Sequence, residues 1–148
     1  MKKLILAISV FIILISSIAA AAAAISEFDV ATYVLMGKNG QPTKMQIRLS
    51  KSKGTWVMEG REAHGKWKNI NCDPGCEYRT STKYEEDMYL DSLPKSMQEK
   101  FDIACIQNIA SAFCRLMKKD DPEKGGYALI ALVTGKPTPI QLQRLPEQ

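Results

Sequence analysis

Whatever this chain folds into must fold beyond a membrane, because its first residues have the build of an export signal. Met1, Lys2 and Lys3 lead into an uncharged run from Leu4 to Ile18, and six alanines follow, Ala19 to Ala24. A positive end, an apolar centre and small residues of the A-x-A kind are the three parts of a secretory signal peptide. A signal peptidase grips an extended backbone and accepts only small side chains, so cleavage is expected near Ala24. Residues 1–24 are then the signal and residues 25–148 one mature domain. The competing reading is an uncleaved anchor, since a bilayer core takes about 20 apolar residues. Ser16, Ser17 and the alanines weaken the second half of the run as a span. The first cysteine is Cys72, which leaves no site for a lipid anchor behind the apolar stretch. The product is expected free in the periplasm or outside the cell, with no membrane contact after cleavage.

That compartment gives the four cysteines their meaning. Cys72, Cys76, Cys105 and Cys114 are an even set, and in an oxidising environment an even set reads as two disulfides. A zinc site fits poorly, because the spacings are C-x3-C and C-x8-C rather than the close C-x2-C knuckles of structural zinc. No C-x-x-C redox motif is present either.

The mature part, about 124 residues, has the size of one domain. Of 20 Lys plus Arg, two belong to the signal, leaving 18 against 16 acids. The domain is therefore close to neutral, and a nucleic-acid partner is not expected of it.

Turn residues cut the first half into strand-like runs. Val30 to Met36 is β-branched and aromatic, Asn39-Gly40 is a hairpin turn signal, and Met45, Ile47 and Leu49 alternate with Gln46 and Arg48. Thr55 to Glu59 and Lys66 to Ile70 continue the series, with Trp56 and Trp67 both assigned to the core in preference to a sugar-stacking platform. Cys72 to Cys76 is a tight turn. Met97, Phe101, Cys105, Ile109, Ala112 and Leu116 recur every three or four residues, which predicts one main helix over about 95–117. Tyr127 to Thr134 reads as a central strand, and Ile140, Leu142 and Arg144 as a final edge strand that completes a C-terminal β-hairpin. The expected fold is α+β: a mostly antiparallel sheet, a meander of hairpins, with the helix packed on one face. On an unbroken helix, Cys105 and Cys114 would stand about half a turn out of phase and roughly 13 Å apart along the axis. Bridges from the turn at Cys72 and Cys76 to the helix are the favoured pairing, and a helix broken near Asn108, pairing neighbours, is the other.

Catalytic patterns are thin. The single histidine, His64, falls in a polar turn, and no G-x-S-x-G accompanies it. Glu85, Glu86 and Asp87 read as surface acids, the methionines as core filling, and no motif calls for a cofactor or metal. One composite feature stands out. Tyr84, Glu85, Glu86, Asp87 and Tyr89 combine acids, which steer a positive partner, with aromatics, which give contact area. Its plain alternative is a charged edge strand guarding against aggregation.

These features point to an exported, non-enzymatic domain that binds another protein, such as an inhibitor or immunity-type protein covering a toxin or hydrolase. A structural or assembly component of the envelope or of a secretion apparatus is the alternative. An enzyme using His64 comes third.

Overall fold

The computed structural model describes residues 24–71 and 76–147. The signal segment, residues 1–23, and the turn Cys72-Asp73-Pro74-Gly75 lie outside the described residues.

Among the described residues, nine strands form one antiparallel sheet. They are β1 (Ala31–Met36), β2 (Pro42–Ser52), β3 (Thr55–Glu62), β4 (Lys68–Asn69), β5 (Arg79–Thr80), β6 (Phe101–Gln107), β7 (Ser111–Lys118), β8 (Gly125–Ala131) and β9 (Thr138–Arg144). Helix α1 (Lys83–Asp91) and the single turn α2 (Lys95–Gln98) lie between β5 and β6. The strand order is β4-β3-β2-β1-β9-β8-β7-β6-β5. The sheet curls into a half-barrel, and Trp56 in β3 reaches Tyr78, just before β5, through an isolated antiparallel bridge.

The two faces of the curled sheet bury different sets of side chains. The concave side holds Tyr33, Ile47, Leu49, Trp56, Met58, Tyr78, Ile106, Phe113 and Leu142. The opposite side of β6 to β8 packs Ile103, Cys105, Ala112, Cys114, Leu116, Ala128 and Ile130 under Tyr89 and Leu93. Strands β6 to β8 are thus covered on both sides. Strands β2 and β3 are covered on one, which is why Ile47 and Leu49 alternate with more exposed neighbours. One charged pair is built into the concave side. Asp29, fully buried, accepts from Arg115 Nη1 through both carboxylate oxygens at 3.1 Å, and also from Ser26 N and Tyr127 Oη. Each lone pair of a buried carboxylate needs such a partner.

The main helix expected over 95–117 is not formed. Only Lys95–Gln98 is helical there, and residues 101–118 are the β6–β7 hairpin. The reason is that double coverage buries ten of the fifteen residues of the two strands, neighbours along the chain included, so apolar positions do not keep to a two-residue period. Asn108 makes the turn, its side-chain oxygen accepting from the backbone of Ala110 and Ser111. The main helix is α1 instead, formed by the acidic aromatic segment, so the alternative reading of that segment as an edge strand does not hold. Thr82 and Glu85 form a reciprocal capping box at its start.

Two further expectations change with it. Cys105 and Cys114 are register partners across β6 and β7 and form a disulfide, so the favoured turn-to-helix bridging does not hold for them. Cys76 is disulfide-bonded as well, and no described cysteine is free. Strand β9 is not an edge: it pairs with β8 on one side and β1 on the other, and so joins the two halves of the sheet.

Candidate functional site

Helix α1 divides the acidic aromatic segment into an anchored side and an open side. On the anchored side Tyr89 is 1 % exposed and donates to Gln107 Oε1 at 2.6 Å. A buried ring has no surface to offer a partner, so Tyr89 belongs to the packing of the helix rather than to its recognition face. Glu86 accepts from the backbone N–H of Cys105 at 3.0 Å, which pins the helix to β6. Glu85 accepts from the backbone of Thr82, from Gln107 Nε2 and, through both oxygens, from Arg79 at 2.6 and 2.9 Å.

These surroundings move the two carboxyls in opposite directions. Hydrogen bonding from the Arg79 guanidinium, helped by the Thr82 N–H, lowers Glu85 to about 2. Burial raises Glu86, and its bond from Cys105 only partly offsets this. Burial, and then the negative charge of Glu85, also raises Tyr89.

The open side carries Lys83, Tyr84, Asp87, Met88 and Asp91, all exposed. Tyr84 is 78 % exposed and Met88 follows one turn later on the same stripe. Lys83 pairs with Asp87. The helix as a whole holds one lysine against four acids. Of the five residues singled out in the sequence, Tyr84 and Asp87 therefore face solvent, Glu85 and Glu86 fix the helix, and Tyr89 is core.

His64 sits exposed in the turn between β3 and β4, in the left-handed backbone region at φ 61°. Among the described residues no hydrogen bond or ion pair joins it to another side chain, and no group of three or more His, Cys, Asp or Glu is placed to hold a metal ion. No described helix is long and apolar enough to cross a membrane.

The two tryptophans part company. Trp56 is core, 8 % exposed, whereas Trp67 lies half-buried against the guanidiniums of Arg48 and Arg61 at 4.7 and 4.3 Å from its ring centre. Trp67 was expected in the core. It is displaced from it because residues 66 and 67 leave the strand path and β4 is reduced to two residues. Arg79 and Gln107, which hold Glu85, had no sequence signal, since each is a common surface type and Gln107 lies 22 residues from Glu85 in the chain.

The class that the described residues define is an antiparallel half-barrel with one main, capped helix on its flank. No protein-family model, no curated protein and no solved structure matches the chain.

Proposed function

We propose that this is an exported, non-enzymatic protein-binding domain that presents the open side of α1 to a basic surface of another protein, as an inhibitor or immunity-type protein would. The observation that carries the reading is Tyr84, a large ring held in solvent on a helix whose other side is fixed by Tyr89, Glu86 and the capping box. An exposed aromatic on a rigid support binds with little loss of freedom, which is the property of an interface anchor. Asp87 and Asp91 beside it favour a positively charged partner. Export is supported by the order of charged, apolar and small residues at the start of the chain and by the Cys105–Cys114 disulfide, a bond that persists in oxidising compartments.

The test compares what the mature protein and a Tyr84→Ala/Asp87→Lys variant retain from the extracytoplasmic fraction of the source cells. A basic protein held by the first and lost by the second is the expected result. Retention that is identical for both would overturn the reading. Capture of a second copy of the chain, or of an envelope assembly, would favour the structural alternative.

A further inference from the structure

The near-neutral total conceals a strong segregation of charge. From Lys38 to Lys68 the chain carries eight basic residues, Lys38, Lys44, Arg48, Lys51, Lys53, Arg61, Lys66 and Lys68, against two acids, Glu59 and Glu62. This stretch is the β1–β2 turn, β2, β3 and β4. Among the described residues only Arg48 and Lys51 of the eight are ion-paired, with Glu59 and Glu27.

Part of that charge is organised around an aromatic ring. Lys44, Arg48 and Arg61 alternate along their strands with Ile47, Leu49 and Gly60, and so stand on the convex face, which no described helix covers. Trp67 rests against both guanidiniums there. Arg61 Nε donates to Gln46 Oε1 at 2.8 Å, which fixes its plane without neutralising it. Beside them runs a groove of about 490 Å³ lined by Thr32, Gln46, Arg48, Ser50, Arg61 and, as its one acid, Glu147, among others.

We infer that this convex face binds an acidic polysaccharide chain. A guanidinium is planar and pairs with a carboxylate through two parallel N–H bonds, and an indole supplies a flat apolar surface for the C–H face of a sugar ring. An open groove along this convex face admits an extended polymer, and Lys44, on the same face and not ion-paired among the described residues, continues the positive charge along β2. The face lies on β2 and β3, whereas α1 packs on β6, so this site and the proposed protein-binding helix occupy different parts of the sheet.

The experiment uses the mature protein and an oligomer of galacturonic acid, titrated by calorimetry at low and at physiological salt. Maltoheptaose serves as the neutral control, and phosphatidylglycerol vesicles and single-stranded DNA as rival polyanions. The acidic oligomer should bind, at least tenfold more tightly at low salt, and maltoheptaose should bind at least tenfold more weakly than it. Arg61→Gln and Trp67→Ala should each weaken binding tenfold or more, while Trp67→Phe, which keeps an aromatic surface, should retain most of it. Unchanged circular dichroism and urea midpoints check that the variants fold. No binding of the acidic oligomer at low salt, equal binding by Trp67→Ala, or tighter binding of vesicles or DNA would each overturn the inference.

Discussion

Cys105 and Cys114 face each other across the β6–β7 hairpin as register partners, with their Cα atoms 4.2 Å apart. The bond closes a loop nine residues in span. Restricting a loop of that size in the unfolded chain is worth about 2.5 kcal/mol on the chain-entropy account. A Cys105→Ala/Cys114→Ala variant should lose about that much unfolding free energy in urea. The native protein should react with no alkylating reagent at these two positions until it is unfolded and reduced. Rapid labelling of either thiol in the native state would contradict the pairing.

Glu85 and Glu86 are neighbours whose effects on stability should run in opposite directions with pH. The Glu85 carboxyl is held at about 2, below the ordinary range. Its contribution is fully present above about pH 4.5 and is lost as pH falls towards 2. Its partner Arg79 is 56 % exposed, so the contribution is about 1 kcal/mol at most. Glu85→Gln should remove that much at neutral pH and flatten the acid limb of the stability curve. Burial raises Glu86, so the folded state prefers the protonated form, and stability falls as pH rises through the raised value. Glu86→Gln keeps an oxygen to accept from Cys105 and should be neutral or stabilising at pH 7. Urea midpoints between pH 2 and 8 measure both.

The two tyrosines of α1 should separate stability from recognition. Tyr89→Phe deletes the bond to Gln107 and should cost about 1 kcal/mol, and Tyr89→Ala about 3 to 5 kcal/mol. Tyr84→Ala removes an exposed ring and should change stability by less than about 0.5 kcal/mol. A large destabilisation by Tyr84→Ala would assign that ring to folding rather than to binding.

Strands β2 and β3 were legible because they are covered on one face only, and the alternation of Ile47 and Leu49 with Gln46 and Arg48 survives in the sequence. The β6–β7 hairpin was not, because burial on both faces erases the two-residue period that would have marked it. The signals that remained were local: Asn108 as a turn former, and two cysteines placed symmetrically about residues 109 and 110. Helix α1 was hidden in a run of charges, although Thr82-x-x-Glu85 is a capping box and Lys83 precedes Asp87 by one turn. The excess of basic residues could have been counted from Lys38 to Lys68. Its focus on Trp67 could not, since that depends on where the chain leaves β3. The pairing of Asp29 with Arg115 spans 86 residues and has no local signature at all.

The central claim, that the open side of α1 is the partner surface, is tested most directly by photocrosslinking in the source cells. p-Benzoylphenylalanine is placed at position 84 in one strain and at position 44, an exposed site on β2, in another. The account predicts a discrete adduct with a second, basic protein from position 84 and none of that size from position 44. No adduct from position 84, or the same adduct from both positions, would contradict it.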